Sequence, residues 1–169
     1  KKFDFPFYDC ETKLKDKVFL RQPKGSDWKD YTWGEVGLTA RKLATGLKSL
    51  GLKEKSHIGL VSKNCSEWII ADLAITMAGY VSVPFFPTLK SNEMNHLIEF
   101  GDVEALFVGK LEGNWDEMKK GIDTENLPII AFPHYEGNSK VDEGHQWHDF
   151  INKFEPQTEN YYPAVDDVW

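Results

Sequence analysis

The chain has 169 residues, 41% hydrophobic and 28% charged, a composition that folds as one ordinary globular domain rather than staying disordered. Its 20 Lys and Arg against 27 Asp and Glu leave a net charge of −7, which argues against a grip on nucleic-acid phosphates or on anionic membrane. Two cysteines, Cys10 and Cys65, cannot build the disulfide framework of a small secreted domain, so reduced, buried thiols are expected.

The opening KKFDFPFYDC is broken by Asp4, Pro6 and Asp9 and has no signal-peptide core. Residues 1–31 read as a Phe-rich lead-in with one short strand, Val18-Phe19-Leu20, closed by a turn-like cluster at Pro23–Asp27. Thr32 then opens a helix, with Glu35 placed to complete a capping box. Apolar residues follow at Trp33, Val36, Ala40, Leu43, Ala44, Leu47 and Leu50, and Gly51 stops the helix. Gly34, Gly37 and Gly46 inside it are expected to mark close packing on neighbouring elements.

His57–Val61 is a β-branched, apolar strand, after which Asn64 and Glu67 have capping-box spacing. The run from Trp68 to Phe86 is long and apolar enough to suggest a membrane span. Asp72, Gly79 and Pro84 interrupt it, so it reads as a buried helix to Met77 followed by a strand over Tyr80–Pro84. Asp72 and Thr76 form that helix's polar stripe, read as a hydrogen-bonded seam or exposed edge. Ser91 or Asn92 caps the next helix, which carries Met94, Leu97 and Ile98 and closes at Gly101. A strand over Glu104–Val108, a short helix over Trp115–Lys119 and a strand over Pro128–Phe132 complete the α/β core of residues 32–132. Such alternation implies a mostly parallel sheet with helices on both faces, a flavodoxin-like subdomain. Residues 133–169 add a polar loop from Pro133 to His145, one helix carrying Trp147, Phe150, Ile151 and Phe154, and an extended tail. A soluble, cytoplasmic protein is expected.

Motif chemistry is sparse. Gly46-Leu-Lys-Ser-Leu-Gly51 has phosphate-loop spacing, but Leu52 stands where Lys is required, and outward carbonyls at a helix end repel phosphate. No G-x-G-x-x-G follows a strand. His145 and His148, with Asp142, Glu143 and Asp149, offer metal-ligating side chains in a polar surface region; the surface reading is favoured and no metal is assigned. Asn64-Cys65-Ser66 fits the glycosylation sequon, but capping explains Asn64 without it, and no base is placed beside Cys65 to make a nucleophile.

Three segments, taken in order, carry a resemblance: TWGEVGLTARKLATGLKSLGL, HIGLVSKNCSEWIIADLAITMAGYVSVPFFPTL and SNEMNHLIEFGDVEALFV. Over Thr32–Val108 the chain resembles the AMP-forming acyl-CoA synthetases of the adenylate-forming superfamily. Glu67-Trp68-Ile-Ile-Ala-Asp-Leu-Ala and Val83-Pro84-aromatic with Pro87-Thr88-Leu89 look most like its long-chain fatty-acid branch. The resemblance implies the N-terminal portion of a long-chain fatty-acid–CoA ligase. A fatty-acid carboxylate attacks the α-phosphorus of ATP, giving an acyl-adenylate and pyrophosphate, with Mg²⁺ offsetting phosphate charge. The thiol of coenzyme A then displaces AMP.

The family's phosphate loop and its Lys follow a segment like Ala164–Val168, and this chain ends at Trp169. The adenine motif, ribose-binding Asp and C-terminal domain are likewise not in this sequence. No catalytic residue is therefore carried over, and the chain alone is expected to be inactive and to bind no cofactor. Other branches place a basic residue after the Val-Pro strand against coenzyme A phosphates; here that slot is Thr88, with Lys90 nearby. An apolar flank is expected to drive self-association. The alternatives are a free-standing flavodoxin-like binding module, or another acyl- or aryl-adenylating enzyme.

Overall fold

The computed structural model describes residues 4–167. Helix α1 (Pro6–Lys13) leads to a hairpin of β1 (Val18–Lys24) and β2 (Asp27–Thr32). Then follow α2 (Trp33–Ser49), β3 (His57–Val61), α3 (Ser66–Met77), β4 (Val81–Phe85), α4 (Ser91–Phe100) and β5 (Val103–Val108). Short α5 (Trp115–Met118) runs into a 3₁₀ turn, Lys119–Gly121, before β6 (Ile129–Ala131), β7 (His145–Gln146) and α6 (Trp147–Ile151). Strands β3 to β7 form one parallel sheet in the order β4-β3-β5-β6-β7. In chain order of its strands this is 2-1-3-4-5, a flavodoxin-like winding, and the parallel sheet is the one expected from the alternating pattern.

Alternate residues of each strand enter opposite layers. Ile58, Leu60, Ala105, Phe107 and Ile130 pack with α2, α3 and α6, and Phe7 and Tyr8 of α1 join that cluster. Val61, Leu106, Val108, Ile129 and Ala131 face Met94 of α4 and Trp115 and Met118 of α5. Burial on both faces is why these strands read as continuous apolar runs.

The expected capping box at Thr32 is present: Glu35 N–H donates to Thr32 Oγ1 at 3.1 Å and Thr32 N–H to Glu35 Oε2 at 2.8 Å. The helix glycines are close-packing points, with Gly34 and Gly37 against Lys15 and Glu11, and Gly46 beneath the rings of Phe150 and Phe154. Thr76 Oγ1 donates to the Asp72 carbonyl at 3.3 Å, so that stripe is a hydrogen-bonded seam.

Three local readings need correction. The lead-in is a helix and a full hairpin rather than one short strand. Asn64 caps nothing; Cys65 occupies the N-cap of α3 without a side-chain bond. Gln22, from β1 and only 6% exposed, serves instead, its Oε1 accepting from Ser66 N–H at 2.8 Å. Lys90, not Ser91 or Asn92, is the N-cap of α4, with its own N–H donating to Glu93 Oε2 at 2.8 Å. Gly101 closes α4 as its C-cap, as expected, and Asp102 (φ 48°) after it takes the left-handed turn. Lys1–Phe3, Val168 and Trp169, the last two closing the segment compared with the family's approach to its phosphate loop, lie outside the described residues.

The Gln22 contact has a measurable consequence. Gln22→Ala leaves a buried helix-terminal N–H without its acceptor and should lower stability by about 1–2 kcal/mol. A urea titration reads it as a lower midpoint with an unchanged slope; an unchanged midpoint would show that water replaces the amide.

Candidate functional site

In an open α/β sheet, ligands bind outside the carboxyl ends of the strands, beside the point where strand order reverses. Here that point lies between β3 and β5. Val61 is in register with both Phe85 and Val108, so three parallel strands release their following loops at one edge. Those loops enclose a cleft of about 280 Å³ lined by Lys63, Pro87, Thr88, Lys90, Leu111 and Asn114, among others. The two candidate residues carried by resemblance, Thr88 and Lys90, thus share one cavity.

Hydrogen bonds fix its walls. Lys63 N–H donates to the Lys110 carbonyl and Gly109 N–H to the Val61 carbonyl, both at 2.9 Å, extending the β3–β5 ladder beyond the strands. Ser62 Oγ accepts from Lys110 N–H at 2.8 Å and donates to the Lys63 carbonyl at 2.7 Å. Ser62 thus ties the loop after β3 to the loop after β5 at the reversal point. Asn114 Nδ2 donates to the carbonyls of Pro87 at 3.0 Å and Leu89 at 2.9 Å, stapling the β4–α4 loop to the β5–α5 loop. Lys90 Nζ reaches Asn114 Oδ1 at 3.3 Å, and Lys63 forms an ion pair with Glu112.

Behind this edge lies a buried polar cluster. The Glu67 carboxylate, 4% exposed, accepts from Tyr135 OH at 2.6 Å and Ser66 Oγ at 3.1 Å. Burial first, then the Glu67 hydrogen bond, push the Tyr135 phenol far above its ordinary range, so it stays a donor. Lys110 Nζ sits 5.0 Å from the centroid of the same ring. Lys63, Lys90 and Lys110 follow the strand ends Val61-Ser62, Pro84-Phe85 and Val108-Gly109 at one edge. Position just past a strand end was the available signal for Lys63 and Lys110; the roles of Glu112 and Asn114 needed the fold.

Other candidates are occupied by structure. Burial first, then the nearby Glu67 charge, push the Cys65 thiol up to about 11. At pH 8 a thiolate fraction set by that value is roughly two hundredfold below that of a free cysteine. Cys65 should accordingly resist alkylation in the native chain while half-buried Cys10 reacts first, with Cys65 labelling only on unfolding or well above pH 9. Peptide mapping after timed iodoacetamide treatment checks this, and early labelling of Cys65 would contradict its burial. Glu143 is taken by Trp115 Nε1 at 2.7 Å and Lys119 at 2.9 Å, while Asp142 pairs with Lys140 at 3.1 Å. Among the described residues no three His, Cys, Asp or Glu side chains gather around a metal position.

A larger groove of about 910 Å³ separates α1 from α2 and residues 156–158. Its guanidinium, Arg41, already makes a bidentate pair with Glu11 at 2.9 and 2.7 Å and bonds the Gln157 carbonyl at 3.1 Å. That groove is a seam between elements, lined by no residue from the ends of β3, β4 or β5.

The family model described as AMP-binding enzyme matches residues 7–163. The chain is 35% identical over 81 residues to the peroxisomal long chain acyl-CoA synthetase 6 of Arabidopsis thaliana, covering 48% of this chain and 12% of that protein. It is 34% identical over 93 residues to 4-coumarate–CoA ligase 1 of Solanum tuberosum, covering 52% of this chain and 17% of that one. The crystal structure of the anthranilate CoA ligase AuaEII with anthranoyl-AMP superposes at a TM-score of 0.77 and 17% identity, over 96% of this chain and 30% of that one. At that identity the likeness is one of fold. The chain spans well under a quarter of the length of these curated relatives.

Proposed function

The chain belongs to the AMP-binding enzyme family, and on that premise we propose that it is the N-terminal portion of a long-chain fatty-acid–CoA ligase. The observation that carries this reading is the family match over residues 7–163 together with long-chain acyl-CoA synthetases among the relatives. The whole enzyme would join a fatty acid to coenzyme A at the expense of ATP, releasing AMP and pyrophosphate. The carboxylate oxygen bonds to the α-phosphorus as pyrophosphate leaves; the coenzyme A sulfur then bonds to the acyl carbon as AMP leaves. This chain contributes a wall and the cleft, and is inactive alone. Thr88 and Lys90 form its coenzyme A edge; cationic side chains around a 280 Å³ opening suit a phosphate group. Mg²⁺ would offset phosphate charge when it enters with ATP.

A second reading, activation of an aryl acid, is favoured by the 4-coumarate–CoA ligases among the relatives. Two measurements decide. The reading frame beyond Trp169 should encode a Thr/Ser/Gly-rich phosphate loop within about a dozen residues; a stop codon or unrelated sequence would sink the ligase reading. ATP–pyrophosphate exchange by the whole enzyme should then depend on long-chain acids; dependence on aryl acids instead would favour the second. Among the described residues no helix is long and apolar enough to cross a membrane. Phe86 and Phe100, 76% and 82% exposed, support self-association of the isolated chain, and light scattering showing a monomer at high concentration would contradict it.

A further inference from the structure

Resting on the reading that this cleft takes a phosphate-bearing ligand, we propose that Lys63 is the residue that meets the phosphate, and that the Glu112 carboxylate holds the phosphate's place until it arrives. Lys63 stands two residues beyond the end of β3, at the reversal point, and its backbone is fixed by the bond to the Lys110 carbonyl at 2.9 Å. Its ammonium is turned to Glu112 on the opposite lip.

Glu112 is held there against its own backbone preference. It sits at φ 54°, a region that disfavours any residue with a Cβ, although Gly113 is its immediate neighbour. Three contacts keep it so: Glu112 N–H donates to Asn138 Oδ1 at 3.0 Å, and its carbonyl accepts from Ser139 Oγ at 2.6 Å and from Ser139 N–H. Strain maintained by surrounding bonds at a cleft mouth is the kind of observation from which a functional role is argued.

The pair itself is weak. Its side chains are 45% and 65% exposed, and exposed ion pairs contribute little. A phosphate carrying up to two negative charges displaces such a carboxylate readily, and Lys90, bonded to a neutral amide oxygen at 3.3 Å, supplies a second cation to it. The Thr88 hydroxyl lines the same opening. The cleft is thus a phosphate site that carries an internal stand-in anion, which keeps Lys63 in place and screens the opening from weaker anions.

Amine acetylation of the whole enzyme, followed by mass spectrometry of the peptides from this chain, tests the site with adenosine 3′,5′-bisphosphate and inorganic pyrophosphate as probes. In Glu112→Gln, an exposed substitution, Lys63 should be acetylated faster than in the parent. Either probe should protect Lys63 and Lys90 together, with about two- to fivefold tighter apparent binding in Glu112→Gln. Stronger protection by the nucleotide assigns the phosphate to coenzyme A, and stronger protection by pyrophosphate assigns it to ATP. If the probes protect Lys90 but Glu112→Gln changes neither Lys63 labelling nor affinity, the stand-in role is overturned while the cleft reading stands. If no probe protects either lysine in either protein, both are overturned.

Discussion

Trp115→Ala should lower the unfolding free energy of the chain by about 3–5 kcal/mol, the range for truncating a large buried aromatic. Trp115 is fully buried in the layer formed by Val61, Leu106, Val108, Met94 and Met118, beneath the sheet face that α4 and α5 cover. Its indole N–H also donates to Glu143 at 2.7 Å, so truncation leaves both a void and a partly buried carboxylate short of one donor. With a urea slope of about 2 kcal/mol/M, the midpoint should fall by roughly 2 M. Trp115→Phe separates the two contributions. It restores most of the apolar volume and should cost only about 1–2 kcal/mol, chiefly for the lost bond to Glu143. The damage should also reach the cleft, because Trp115 directly follows Asn114, whose amide staples the Pro87 and Leu89 carbonyls. If Trp115→Ala kept the parental midpoint, the α4–α5 layer would be dispensable to this fold.

The sheet and its helices were legible because each had a physical signature in the sequence. Thr32 and Glu35 state a helix start through their own side chains, and α2 carries one apolar stripe that ends where Gly51 (φ 71°) turns the chain. Strands β3 and β5 are buried on both faces, so they could be found as unbroken apolar runs. The hairpin was not legible, because β2 reads Asp-Trp-Lys-Asp-Tyr-Thr and is mostly exposed, with no alternation to detect. Its one deeply buried side chain, Gln22, is polar and serves a helix start 44 positions later. Helix α1 had a usable signal in Pro6 at its first turn, set against a short, aromatic-rich lead-in. The cleft shows the sharper limit. Thr88 and Lys90 came from resemblance, whereas Lys63, Glu112 and Asn114 meet only because parallel strands deliver distant loops to one edge. No local pattern encodes that meeting, and a left-handed Glu112 beside a glycine is invisible without coordinates.

Gly121→Ala should be the most damaging single-methyl change in the cleft's framework, lowering stability by about 3 kcal/mol or more. A Cβ at Gly121 would be driven into the carbonyl of Ser91, a backbone group that cannot rotate aside as a side-chain tip can. Ordinary overpacking costs about 1–3 kcal/mol because side chains share the displacement; here a helix start must move as a body. Ser91 begins α4, and Lys90 before it holds the capping bond to Glu93, so the shift propagates into the residue proposed to face the phosphate. Gly113→Ala supplies the control. Nothing lies within 4 Å of a Cβ built there, so the same added methyl should be neutral or stabilise by about 0.4–1 kcal/mol through the unfolded chain. Paired urea titrations of the two variants therefore separate close approach from any general intolerance of alanine in these loops. Should Gly121→Ala unfold at the parental midpoint, the contact with Ser91 must relax freely, and the β4–α4 lip could no longer be treated as a fixed wall that positions Lys90.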